Sequence, residues 1–394
     1  MRKVTLADPP IPYARQSISD PDIEAVVRVL RSDWLTQGPS VERFEKAVAQ
    51  YCGAEYAVAV NSGTSALHVA CLAAGMGPGD TLWTSPNTFV ASANCALYCG
   101  GRIGFVDIDP HTLNLCPSAL EKKLVKAKAE GSLPKVVIPV HFAGQSCDMA
   151  VISDLADRFG FTIIEDASHA LGGRYRGRPI GACDFSEMTV FSFHPVKIIT
   201  TGEGGMVLTN REDLYQRLLR LRSHGITRDP SLMDRESDGP WYYQQIELGF
   251  NYRMTDLQAA LGESQLLRID KFVERRHLLA DRYGSFLKDL PVNLPRQHPD
   301  CYSAYHLYAI RLDFDRIGKT RNRVFEMMRA AGIQVHVHYI PVHSQPYFRK
   351  MGFRTGDFPE SERYYREALT LPMFYNMTDE AQDKIIRLLE GILR

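Results

Sequence analysis

Between about residue 55 and residue 210, short apolar runs alternate with segments of helical period, and that alternation leaves few folds open. Strands separated by helices rather than by tight turns must run mostly parallel, with the helices covering the faces of the sheet. The runs EYAVAV, TLWT, RIGFV, KVVIPV and FTIIED end at Val60, Thr84, Val106, Val140 and Asp166. MTVFSF and GGMVLT follow with no room for a crossover helix between them, so this last pair is expected to add antiparallel or irregular strands. The predicted class is α/β with a mostly parallel mixed sheet.

The flanks read differently. Ser19-Asp20-Pro21 is a helix start, a capping residue followed by proline in the first turn, and opens a helix to about Arg31. A second helix is expected from Val41 to Tyr51. After residue 254 a helical pattern continues to Leu287, long enough to predict a single spine between domains. The remainder reads as a smaller α+β unit: strand 306–312, helix 320–330, strand 333–339 and helices near 360–368 and 378–392. A chain of 394 residues suits two domains. They are expected at 1–253, a large domain with an N-terminal arm, and at 254–394, a linking helix and a small domain. Residues 227–243, rich in charge, Gly and Pro, are the expected mobile loop.

Lys plus Arg equals Asp plus Glu at 46 each, which removes bulk attraction to nucleic acid or an anionic membrane. The start, MRKVTLADPPIPYARQSI, is too broken for a signal peptide or a membrane span. The eight cysteines are scattered without a CxxC pair, as in reduced core thiols. Cys95 and Cys99, at helical spacing, read as two buried small residues. A cytoplasmic protein is expected.

Three segments carry chemistry. In FSFHPVKIITTGEGG, Lys197 stands among apolar and small residues between two strands; a desolvated amine is what Schiff-base formation with an aldehyde requires. In IIEDASHALG, Asp166 ends an apolar strand, where open α/β sheets place ligands. A helix cap or a salt bridge would use the same residue. In NSGTSALHVA, a strand runs into Ser62-Gly63-Thr64-Ser65 and then a helix, so free N–H groups and hydroxyls face the strand end as an anion site. A plain capping turn looks similar.

Nearly the whole chain resembles the DegT/DnrJ/EryC1/StrS sugar aminotransferases. NSGTSAL, TFVAS (Thr88 to Ser92), PVHFAG (Pro139 to Gly144), EDASHA, the SF–Lys segment and GFNYRM occur in the family's order. The resemblance implies the pyridoxal-phosphate (PLP) transferase fold type I, that of aspartate aminotransferase, with pyridoxamine phosphate (PMP) as the alternate cofactor form. It implies Lys197 as the lysine that links to the cofactor and shuttles a proton, and Asp166 as the partner of the pyridinium nitrogen. Phe89 would stack on the ring, and Gly63, Thr64 and Ser192 would bind the phosphate. Asn251 would reach the phosphate of a neighbouring subunit, making a homodimer with shared sites. His169 stands where many members have Gln and would reach the ring oxygen.

KIITTGEGG, LRSHGITRD, GPWYYQQIELGFNYRMTDLQAALG and HVHYIPVH are similar to the branch of the family that serves pseudaminic acid synthesis. That similarity implies L-glutamate as amino donor and a UDP-linked 4-keto sugar as acceptor, with UDP-4-amino-4,6-dideoxy-N-acetyl-β-L-altrosamine as product. It implies substrate contacts at Tyr13, at Asp33, Trp34, Leu35 and Thr36, at Ser62 and Asn251, and at His336, Val337, His338 and Tyr339. The alternatives are transfer to another UDP- or dTDP-4-keto sugar, and a non-catalytic sensor on the same fold. A related sugar dehydratase would carry histidine in place of the lysine; His194 is nearby, but the spacing to TTGEGG selects Lys197. His336, His338 and His343 have a spacing that could hold a metal, yet no carboxylate or cysteine stands close in sequence, and no metal is expected.

Overall fold

The computed structural model describes residues 9–394, so the first eight residues of the expected N-terminal arm lie outside it. Seven strands make the central sheet: β1 (Tyr56–Val60), β2 (Thr81–Thr84), β3 (Arg102–Phe105), β4 (Val136–Ile138), β5 (Thr162–Asp166), β6 (Met188–Ser192) and β7 (Gly205–Thr209). Their order is β1-β7-β6-β5-β4-β2-β3. β2, β3, β4, β5 and β6 are parallel neighbours, whereas β7 is antiparallel to both β6 and β1. The sequence expectation for the last pair is therefore met, and the link between them, residues 193–204, has no helix and carries Lys197.

Side chains alternate across the sheet with period two. Val58, Val60, Ile164, Val190 and Val207 join one core with helices α3 (Gly63–Ala73), α4 (Ala91–Tyr98) and α7 (Glu212–Leu221). Ala57, Ala59, Phe191, Met206 and Leu208 join another with α2 (Pro39–Cys52), α8 (Asp256–Leu266) and the first turns of α9 (Ile269–Leu287). α1 (Asp20–Leu30) starts at Ser19 with a capping box to Asp22, and α2 runs from Gly38 and Pro39 to a left-handed Gly53. On the far side of the sheet α5 (Pro117–Glu130) and α6 (Met149–Phe159) cover Val137 and Ile163.

From Leu279 onward α9 packs on a second core. This core lies under the antiparallel sheet β8-β9-β10 (Val292–Asn293, Tyr308–Leu312, Ala368–Leu371), with α10 (Arg321–Ala330) and α12 (Asp379–Leu393) around it; α11 (Pro359–Glu367) precedes β10.

Two sequence expectations need correction. The spine is two helices, broken at Leu267 and Arg268, where Arg268 turns its guanidinium back to Asp22 and the Ser17 carbonyl and ties the break to α1. Residues 333–339 do not form a ladder strand. His336 makes one bridge with Thr370, Ile333 one with Ile11, and the alternation of this stretch serves packing and the site instead. Residues 227–243 project from a short Ile226–Thr227 pairing with Gln244–Gln245 and expose Trp241 and Tyr243.

Candidate active site

The loops at the carboxyl ends of β1, β2, β5 and β6 converge on a cavity of about 550 Å³, closed from the other side by His306, His336, His338 and Tyr339. This is where an open α/β sheet places ligands. Ser62 caps α3, accepting from the Ser65 N–H at 3.0 Å, so the Gly63 and Thr64 N–H groups at the first helical positions have no helical carbonyl to donate to. A Cβ on Gly63 would lie 2.9 Å from Ser192 Cβ, so only glycine lets Ser192 close on the turn. The result is a neutral cup of N–H and hydroxyl donors at a helix N-terminus, fit for a phosphate.

Asp166 is buried with two neutral donors. Ser92 Oγ donates to Oδ2 at 2.6 Å and the Ser168 N–H to Oδ1 at 3.1 Å. The Ser92 proton is committed to the carboxylate, so Thr88 Oγ1 is the donor in its 2.7 Å contact with Ser92 Oγ. A buried carboxylate held this way favours a cation placed against it. Lys197 is half-buried at the floor of the cavity; loss of hydration pulls its ammonium down to about 8, against the opposing pull of Asp166. Phe89 is exposed in the cavity mouth, in the turn before α4 rather than inside a helix, 6.3 Å from the Tyr339 ring.

Opposite lies a cluster of rings. Tyr13 packs 5.3 Å from His336 and 5.5 Å from His338, which stack on each other at 4.5 Å. His338 Nδ1 meets Thr370 Oγ1 at 3.0 Å, and burial, with His336 and Lys197 nearby, pushes its pKa down to about 3. His343 is not part of this group: it is buried against Glu362 at 3.0 Å. Among the described residues no group of three His, Cys, Asp or Glu side chains is arranged to hold a metal.

Tyr13, Ser62, Gly63, Thr64, Phe89, Asp166, His169, Ser192, Lys197, His336, His338 and Tyr339 are thus brought together. Val337 turns away into a core with Ile108 and Phe142. Asn251 and the Asp33–Thr36 segment do not line this cavity. Thr36 bridges Thr255 and Asn251 bridges Ser223, beside a second cleft of about 630 Å³ that Gln37, Gly38, Ser223 and Arg253 line. Sequence reasoning missed His306, which is buried and stacks 4.4 Å from His169, and gave Ser92 no role of its own.

A lysine and a carboxylate facing each other beside a phosphate cup, on this sheet, define a PLP-dependent enzyme. Residues 16–390 match the DegT/DnrJ/EryC1/StrS aminotransferase family, and the chain belongs to it. The spore coat polysaccharide biosynthesis protein SpsC of Bacillus subtilis is 39% identical over 388 residues, 98% of this chain and 97% of SpsC. Among solved structures, Helicobacter pylori PseC, an aminotransferase involved in the biosynthesis of pseudoaminic acid, superposes with a TM-score of 0.88 at 29% identity, covering 98% of this chain and 99% of PseC. Spr1654 of Streptococcus pneumoniae in its PMP form gives 0.87 at 29% identity over 97% and 98%. The protein is a PLP-dependent sugar aminotransferase.

Proposed function

We propose that the enzyme transfers the amino group of L-glutamate to C4 of a UDP-linked 4-keto-6-deoxy-N-acetylhexosamine, forming UDP-4-amino-4,6-dideoxy-N-acetyl-β-L-altrosamine. The observation that carries this reading is the likeness to PseC across almost the whole of both chains. Bound in the cavity, PLP supplies an electron sink for the carbon that loses its proton. The chain's own residues do the rest. Lys197 accepts and returns that proton, in reach because its amine is already poorly hydrated. Asp166 would hold the ring nitrogen protonated, Phe89 would cover the ring, and Gly63, Thr64 and Ser192 would take the phosphate. Tyr13, His336 and His338 give the sugar hydrogen-bonding groups on aromatic faces, the usual lining for a carbohydrate.

The enzyme is proposed to work as a cytoplasmic homodimer in which Asn251 and Asp33–Thr36 of one subunit complete the site of the other. Their position beside a separate cleft supports this. No helix among the described residues is long and apolar enough to cross a membrane. The proposed domains remain 1–253 and 254–394, with α8 and α9 linking two cores. The higher identity to SpsC favours, as a second reading, another UDP- or dTDP-4-keto sugar. The test offers UDP- and dTDP-4-keto sugars with glutamate and follows 2-oxoglutarate. Amination of the UDP-linked N-acetylhexosamine is expected; preference for a dTDP sugar selects the second reading, and no amination by the PLP-loaded protein rejects both.

A further inference from the structure

His169 has both ring nitrogens engaged. The Ala143 N–H donates to Nδ1 at 3.3 Å, and a backbone N–H cannot accept, so Nδ1 carries a lone pair. The ring is buried, and burial together with Lys197 and His338 nearby keeps it neutral. Its single proton is therefore on Nε2. That nitrogen lies 3.1 Å from the Tyr339 hydroxyl oxygen, with the rings near parallel at 24°. Tyr339 must accept this bond, which leaves its own proton to be donated elsewhere.

The arrangement is held firmly. The turn carrying Ala143 is pinned by Asn114, whose Oδ1 accepts from the Phe142 N–H at 2.9 Å and whose Nδ2 donates to the Gln145 and Ser146 carbonyls at 3.0 Å. His141, donating to buried Glu165 at 2.6 Å, accepts the Cys147 N–H at 3.1 Å and closes the same turn. His306 backs the His169 ring at 4.4 Å.

Position along the sheet says what Tyr339 meets. The phosphate cup is at the ends of β1 and β6, Asp166 at the end of β5, and Ala143 beyond β4, on the other side of Asp166 from the cup. In PLP the phosphate arm and the phenolic oxygen leave the ring from the two carbons flanking the one that bears the aldehyde. With the phosphate in the cup, the ring nitrogen at Asp166 and the aldehyde at Lys197, the phenolic oxygen projects toward Tyr339.

We propose that Tyr339 donates its hydroxyl proton to the phenolic oxygen of the cofactor, and that His169 is a positioning residue that acts only through Tyr339. The inference rests on the reading of Lys197, Asp166 and the cup as the cofactor's holders. A donor on the phenolate draws charge away from the adjacent lysine nitrogen and lowers the pH at which the lysine-linked chromophore loses its proton. Asp166, Tyr13, Tyr364, His338 and His169 are the other titratable groups around Tyr339.

The experiment titrates the visible band of the PLP-loaded protein against pH. Tyr339→Phe, of nearly unchanged shape, is expected to raise the midpoint by about one unit. His169→Asn is expected to raise it less, and the double variant no more than Tyr339→Phe alone. In ¹⁵N spectra the His169 imidazole should carry its proton on Nε2. An unmoved midpoint in Tyr339→Phe overturns the proposal. So does a further shift when His169 is changed in the Tyr339→Phe background, since that places His169 on the oxygen itself. If the wild type develops no visible band with PLP, it is the assignment of the cofactor's holders that fails.

Discussion

Lys197 is poorly hydrated, and this has a measurable consequence for the protein before it is loaded with PLP. Capture of the aldehyde needs the free amine, whose fraction rises about tenfold per pH unit until the pKa is reached. With the ammonium at about 8, the rate of PLP uptake should climb with unit slope below that pH and level above it. An ordinary lysine would level only above 10, so a break there contradicts the desolvated setting. The linked stability effect has a definite sign. The folded pKa is lowered from 10.5, so between about 8 and 10.5 the unfolded chain holds the extra proton and folding stability rises with pH. Ser92 makes a second residue-level case. Removing its bond to Asp166 in Ser92→Ala should cost about 1.5 kcal/mol, the lower end for a bond to a charged group, and weaken PLP retention about tenfold by equilibrium dialysis. Lys197 and Asp166 are legible in the sequence because a charged side chain in an apolar run has few structural excuses. His306, in the equally apolar YHLYAI, gives no such signal, since a lone histidine there reads as core and its partner His169 is 137 positions away.

At the level of elements, the strand-to-helix junction after β1 is the part of the site most dependent on one side chain's absence. Gly63 has no room for a Cβ beside Ser192. Gly63→Ala should therefore leave the fold and its helix content unchanged, because alanine suits the first turn of a helix, while pushing Ser192 out of the cup. PLP should bind at least tenfold more weakly, by about 1.4 kcal/mol, and free inorganic phosphate should compete less well for the apoprotein. Unchanged affinity for both would remove Gly63 and Ser192 from the cup. The strands of the central sheet are legible because each is bounded by turn residues and buried on both faces, which produces compact apolar runs. The break between α8 and α9 is not. Leu267 and Arg268 suit a helix, and the contact that accompanies the break is with Asp22, more than two hundred residues earlier. Residues 333–339 mislead for a related reason: their alternation buries Ile333 and Val335 in the second core and turns His336 and His338 to the cavity without a partner strand.

At the scale of the molecule, Asn251 and Asp33–Thr36 are legible only through resemblance, because nothing in a single chain's pattern reveals a surface that serves another copy. Their absence from the Lys197 cavity is what the proposed shared-site dimer requires. A mixture of two inactive variants discriminates between the arrangements. Chains with Lys197→Ala keep Asn251, and chains with Asn251→Ala keep Lys197. If Asn251 acts across the dimer interface, each hybrid dimer contains one site with both native residues and one with neither. Random pairing makes half the dimers hybrid, so unfolding and refolding the equimolar mixture should restore about a quarter of wild-type turnover. If Asn251 acts within its own chain, every site in the hybrid lacks one of the two residues. The mixture then stays as inactive as its parents, and the shared-site dimer is excluded even if the protein sediments as a dimer.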